Sequence, residues 1–146
     1  MKLTELKVAR VIGAKPRAVF DVWMDPRQPG SPWFGTASLL INCRENELFY
    51  FAVEHEGQTW AHYGRFVRLM PPTDDVEGVA EFTWMSAATQ GVESLVTVTF
   101  APLEDETEVT LVHAFVPDDE MGRRHAEGWT WMLNSLAERF SVHEEG

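Results

Sequence analysis

Histidine is the side chain of this 146-residue protein best suited to proton transfer near neutral pH. His113 has the most informative neighbours, because it alternates with Val109, Leu111 and Phe115 in a period-two apolar pattern that predicts an inward-facing ring. Such a ring could donate to a ligand or act as a general acid or base. We favour a neutral core histidine bonded to a backbone carbonyl, because no carboxylate is obviously placed to orient it.

The other groups that could bind a metal are poorly placed for it. The five histidines stand at positions 55, 62, 113, 125 and 143, with no paired ligand spacing. In a simple meander, two strands separate His62 from His113, which puts their backbones about 14 Å apart. Cys43 has no partner for a disulfide and is expected to be a small core hydrophobe. We therefore expect no metal and no cofactor.

A ligand pocket combines apolar walls with a few orienting polar groups, and the inward faces of the predicted elements offer both. The expected wall from the strands consists of Phe82, Trp84, Val96, Val98, Phe100, Leu111, His113 and Phe115. The expected wall from the C-terminal helix consists of Trp129, Met132 and Leu136. The polar candidates are His113, His62, Tyr63 and Arg65. Alternatively, the same apolar side chains simply fill a close-packed core.

The residue pattern of the N-terminal third predicts a strand followed by a short helix pair. Thr4–Ala14 has the composition of a strand, and Pro16–Met24 has helical spacing with proline in its first turn. Asp25-Pro26 ends this helix. Arg27–Trp33, with Pro29, Gly30 and Pro32, is a turn or broken helix.

The middle of the chain predicts consecutive strands. They are Thr36–Arg44, Glu47–His55, Gln58–Met70, Gly78–Ala87, Glu93–Pro102 and Thr107–Val116. Short separators with turn residues join most of them, which predicts hairpins and an antiparallel meander.

The C-terminal part predicts one long helix from residue 118 to about residue 141. Its apolar stripe consists of Trp129, Leu133, Leu136 and Phe140. Gly128 is expected to let this helix approach a neighbour closely, and His143–Gly146 are expected to fray. The stripe needs a large apolar partner, and the sheet is the only one available. We therefore predict one α+β domain over residues 1–146, a curved seven-stranded antiparallel sheet gripping this helix.

Several segments resemble the SRPBCC superfamily (START-like, helix-grip), and within it the activator-of-heat-shock-protein-90-ATPase-like branch. They are KPRAVFDVWMDP, GRFVRLMPP, AEFTW, ESLVTVTF, TEVTLVHAFVP and HAEGWTWMLNSLAERF. The resemblance covers essentially the whole chain. It implies a cavity between the sheet and the C-terminal helix. Superfamily members bind lipids, sterols, polyketides or plant hormones, a few are cyclases, hydrolases or dehydratases, and the branch is named after a co-chaperone domain.

Charge and hydropathy limit the kinds of partner that this chain can bind. The net charge of −11 repels nucleic acid and anionic membranes, and no stretch is apolar enough to insert into a membrane. Met1–Arg10 lacks the pattern of a signal peptide, so we expect a cytoplasmic location. Trp131, together with part of Trp33-Phe34, lies off the buried stripe and could mark a homodimer surface.

Three functions follow from these observations. The leading hypothesis is the binding of a small apolar or amphipathic ligand between the helix and the sheet. The second is a co-chaperone-like protein that activates a partner ATPase through its surface. The third is a cyclase or hydrolase that uses His113 with Tyr63 or Arg65, although no set of residues forms a recognisable catalytic motif.

Overall fold

Seven antiparallel strands form a single sheet in the computed structural model, which describes residues 1–141, and two of its three α-helices contribute to the core beside the sheet. The fraying predicted for His143–Gly146 lies outside these residues. The strands are β1 (Leu3–Ile12), β2 (Ala37–Leu40), β3 (Leu48–His55), β4 (Gln58–Met70), β5 (Gly78–Ser86), β6 (Ser94–Leu103) and β7 (Glu106–Pro117). The helices are α1 (Pro16–Trp23), α2 (Glu120–Arg123) and α3 (His125–Arg139).

The strand order confirms the predicted meander. The order is β1-β7-β6-β5-β4-β3-β2, so each strand from β2 to β6 pairs with the next strand along the chain. β1 closes the other edge by pairing with β7. This pairing joins strands about a hundred residues apart, and no local sequence signal predicts it.

A single helix, rather than two, follows β1. α1 buries Val19, Phe20 and Trp23, as its spacing predicts. The segment from 25 to 35 forms successive turns, because three prolines and two glycines with positive φ interrupt any helical hydrogen bonding. This segment still packs well, since Trp33 is only 1% exposed.

The predicted long C-terminal helix is divided at Arg124 into α2 and α3. Asp119 caps α2, with its Oδ1 accepting a hydrogen bond of 2.7 Å from the backbone N–H of Gly122. On α3 the predicted stripe is buried at Trp129, Leu133 and Leu136.

Close packing fills the space between the middle of the sheet and α3. Four residues predicted to line a cavity wall are essentially inaccessible there: Phe82, Val98, Phe100 and Leu111. Trp33 fills the adjoining space, with its ring within 5.7 Å of the rings of three phenylalanines, Phe49, Phe66 and Phe82. The alternative of an ordinary core therefore describes this part of the molecule.

The inward orientation predicted for Phe115 is wrong. A bulge near the end of β7 places two residues, Ala114 and Phe115, opposite the single residue Glu5 of β1. Phe115 takes a φ of 62° and its side chain is 54% exposed. The period-two pattern fails here because it assumes a regular strand.

Candidate ligand site

His113 lies completely buried under the first turns of α3. Its Nδ1 accepts a hydrogen bond of 3.0 Å from the indole N–H of Trp129. Its Nε2 lies 2.7 Å from the hydroxyl oxygen of Ser94, and that hydroxyl donates to the carbonyl of Trp84 at 2.5 Å. The ring is therefore bonded to two side chains rather than to the backbone carbonyl expected from sequence.

These bonds settle the tautomer of His113. Because an indole N–H can only donate, Nδ1 of His113 must carry a lone pair and the proton of the neutral ring is on Nε2. Burial and the nearby His125 hold the pKa of His113 down, at about 3. A ring with Nε2 protonated cannot take the proton of Ser94, so the two residues do not form a nucleophile–base pair.

Tyr63 and Arg65 lie on the outer face of the sheet, away from His113. They alternate along β4 with the buried Gly64 and Phe66, and Tyr63 packs against Tyr50 of the neighbouring strand. Both line a separate groove that includes the exposed Leu40 and Leu48. The structure therefore does not bring the three proposed polar groups together.

Open space occurs instead at one end of the sheet, in two adjoining concavities. The histidine pocket has a volume of about 280 Å³ and is lined by His62, Trp84, Ala88, Met121, Arg124, His125, Gly128, Trp129 and Met132. The aromatic groove has a volume of about 390 Å³ and includes Phe34, Phe51 and Trp131. The two share His62, Trp84 and Met132, so they form one cleft between α3 and strands β3 to β5.

A continuous arc of six aromatic rings borders this cleft. Successive centroids are 4.6 to 5.8 Å apart along the series Phe51, His62, Trp84, Trp129, His113 and His125. These separations are typical of packed aromatic pairs. The arc holds the walls of the histidine pocket in fixed positions before any ligand arrives.

The two histidines that line the pocket have matching hydrogen bonds. Nδ1 of His62 lies 3.1 Å from the carbonyl of Trp60, and Nδ1 of His125 lies 2.8 Å from the carbonyl of Gly122. A carbonyl only accepts, so in each ring Nδ1 carries the proton and Nε2 the lone pair. Neither Nε2 has a hydrogen-bond partner among residues 1–141.

Burial keeps both rings neutral. It lowers the pKa of His62 to about 4, with a small further decrease from His125. Burial also lowers the pKa of His125, against the opposing effects of the Gly122 carbonyl and Asp119. At neutral pH each Nε2 is therefore a hydrogen-bond acceptor.

Trp84 contributes its ring to the cleft, and its side chain lines both concavities. Its indole N–H is buried and has no hydrogen-bond partner within residues 1–141, as is also true of Trp23, Trp33 and Trp60. The contribution of Trp84 to the site is therefore aromatic surface.

Sequence reasoning placed Trp84, Trp129 and Met132 at this cleft but missed the contribution of the first turns of the helices. Met121, His125, Gly128 and Met132 follow one another at intervals of four, three and four residues, which is the same helical spacing as the buried stripe. The close approach predicted at Gly128 is wrong, since a Cβ added there would meet no atom within 4 Å.

No group of three His, Cys, Asp or Glu side chains within residues 1–141 is arranged to hold a metal ion. His62 and His113 are separated by the rings of Trp84 and Trp129. Within the same residues, no helix has the length and apolar character needed to cross a membrane.

Comparison with known families gives the same fold. The family described as activator of Hsp90 ATPase homolog 1-like protein matches residues 13–141. The chain belongs to this family. The match covers both walls of the cleft, and it confirms the SRPBCC-type resemblance of the sequence.

Solved structures similar to this Hsp90-activator-like chain share its architecture. CV1439 from Chromobacterium violaceum is 21% identical, with 95% of this chain and 98% of that chain covered and a TM-score of 0.73. Mll3558 from Rhizobium loti is 20% identical, with 94% and 97% covered and a TM-score of 0.72. DynU16, a protein of the dynemicin biosynthetic locus, is 18% identical, with 92% and 46% covered and a TM-score of 0.70. A sequence search of curated proteins finds no match.

Proposed function

We propose that this protein binds a small apolar or amphipathic molecule in the cleft formed by the histidine pocket and the aromatic groove. The observation that carries the proposal is the arc of aromatic rings around open space next to a filled core. Pockets of this kind combine aromatic walls with a few polar groups, and here His62 and His125 supply the polar groups. One fold neighbour, DynU16, comes from a biosynthetic locus, where a protein that binds small molecules has a use.

Two methionines make the cleft adaptable. Met132 lies where the two concavities meet, and Met121 lies at the rim of the histidine pocket. An unbranched thioether side chain changes shape easily. Movement of Met132 would join the two spaces, so the cleft suits ligands of more than one length.

The histidine pocket can be filled from a single position. Gly128→Leu places an apolar side chain in the histidine pocket, where the added Cβ meets nothing within 4 Å. Leucine also favours the helix more than glycine does, so the variant should fold. We expect fatty acids, sterols or polycyclic aromatics that raise the melting temperature of the native protein to lose that effect in Gly128→Leu.

The matched control is Thr130→Leu, which adds an apolar side chain at an exposed position of α3 outside the histidine pocket. It should respond to ligands as the native protein does. Failure of every ligand class to stabilise the native protein would contradict the proposal, as would equal stabilisation of native protein and Gly128→Leu.

A second candidate is an interaction with a partner ATPase, which agrees with the family name. The observation in its favour is the pair Trp131 and Phe34, which are 66% and 48% exposed and line a common groove. Trp131→Ser with Phe34→Ser should abolish stimulation of such an ATPase, measured as phosphate release. Gly128→Leu, which fills only the histidine pocket, should leave that stimulation unchanged. The third hypothesis, catalysis by His113 with Tyr63 or Arg65, lacks the required convergence of side chains.

A further inference from the structure

We propose that the preferred ligand of the histidine pocket is an aromatic molecule bearing a neutral hydroxyl group. Its ring would pack against Trp84 and Trp129, and its hydroxyl would donate to Nε2 of His62 or His125. This inference rests on the proposed function and narrows its ligand class from apolar molecules to phenol-type donors.

The histidines of the pocket can accept hydrogen bonds from a ligand but cannot donate them. Backbone carbonyls of Trp60 and Gly122 fix the Nδ1 protons of the two histidines, so the pocket has two lone pairs at Nε2 and no imidazole donor. A ligand must bring a hydrogen-bond donor to use either one. An ether or a ketone of the same shape cannot.

The charges around the pocket disfavour a negatively charged ligand group. Arg124 is the one basic side chain of the pocket lining other than the histidines, and it is paired with Glu120 at 2.8 Å. The lowered pKa values of His62 and His125 keep both rings uncharged at neutral pH, and the chain carries a net charge of −11. A carboxylate would therefore lose hydration here and would have to compete with Glu120 for the single cation of the lining.

A neutral hydroxyl suits the pocket better than a positively charged ammonium group does. A hydroxyl donates one hydrogen bond and can accept two, whereas an ammonium group only donates. The lining of the histidine pocket includes Arg124 and contains no carboxylate, so an ammonium group would lose hydration there without gaining a counter-ion. A neutral hydroxyl can donate to Nε2 without that cost.

Three probes of one shape test this preference on the whole protein: 2-naphthol, 2-methoxynaphthalene and 2-naphthoate at pH 7.5. Their dissociation constants can be measured from NMR shifts of the indole N–H resonances of Trp84 and Trp129. We expect 2-naphthol to bind about 3- to 10-fold more tightly than the methyl ether, which corresponds to one neutral hydrogen bond. Naphthoate should bind more weakly than either.

His62→Phe and His125→Phe provide the matched controls. Phenylalanine at position 62 keeps the stacked contact with Phe51, and phenylalanine at position 125 keeps the edge contact with His113. In the double variant, 2-naphthol and its methyl ether should bind equally. If that variant does not fold, the imidazole ¹⁵N spectrum of the native protein replaces it, with an Nε2 shift on adding naphthol and none on adding the ether.

The outcomes separate the two proposals. Equal binding of naphthol and ether to the native protein, or tighter binding of naphthoate, would overturn the hydroxyl preference and leave the proposed cleft intact. Failure of all three probes to shift the Trp84 and Trp129 resonances would overturn the aromatic ligand class. The screen with Gly128→Leu then decides separately whether the cleft binds other molecules.

Discussion

His113 shows how far a residue can be understood from its spacing alone. Alternation with Val109 and Leu111 correctly predicted an inward, neutral ring, because neighbours on a strand determine its face. Its partners could not be predicted in the same way. Ser94 lies on another strand and Trp129 on a helix, so only the tertiary fold brings them to the two ring nitrogens.

The structure predicts that His113 stabilises the fold by holding the indole of Trp129. His113→Phe would leave the Trp129 N–H buried without an acceptor, which should lower the free energy of unfolding by about 1–3 kcal/mol. Urea denaturation measures this loss. A double-mutant cycle with Trp129→Phe should show a clear coupling energy, whereas additive losses would contradict a functional hydrogen bond between the two rings.

At the scale of elements, the α2–α3 segment carries two adjacent stripes with different roles. Trp129, Leu133 and Leu136 fill the core, and this stripe was predictable from its uniform apolar character. The second stripe, from Met121 through His125 and Gly128, has the same spacing but mixed chemistry, so hydropathy does not detect it. Only the absence of packing around Gly128 identifies it as a wall of the cleft.

Two glycines in regular elements should respond oppositely to alanine. Gly64 in β4 lies against Phe49, and an added Cβ would stand 2.2 Å from its Cζ and from the carbonyl oxygen of Thr83. Gly64→Ala should therefore lower the free energy of unfolding by about 1–3 kcal/mol. Gly128→Ala adds helix propensity without a clash and should raise it by up to about 1 kcal/mol.

Thermal and chemical unfolding of the two glycine variants check this contrast on the same protein. A destabilising effect of Gly128→Ala would mean that the cleft closes onto α3 in solution. A neutral effect of Gly64→Ala would mean that Phe49 has room to move.

For the whole molecule, the sheet and the helix that packs on it were predicted better than the place where open space remains between them. The meander and the gripping helix follow from periodicity and turn residues, whereas the filled aromatic core was the alternative to the expected cavity wall. The location of the cleft does not follow from periodicity, because it depends on how Trp33 occupies the centre and how the bulge at Phe115 turns the end of β7. Both depend on contacts between distant segments.

The buried histidines also predict how stability changes with pH. The pKa values of His62 and His113 fall from 6.5 to about 4 and about 3 on folding. The unfolded chain therefore binds more protons below pH 6.5, and stability is lost as the pH falls from there towards the folded values. Each proton contributes about 1.4 kcal/mol per pH unit, so these two rings should give a slope of about two protons near pH 5. The lowered pKa of His125 steepens the slope further.

Urea titrations from pH 7.5 to pH 4.5 measure this slope. His113→Phe should remove about one proton from the slope. A flat profile in the native protein would contradict the burial of neutral rings beside the cleft.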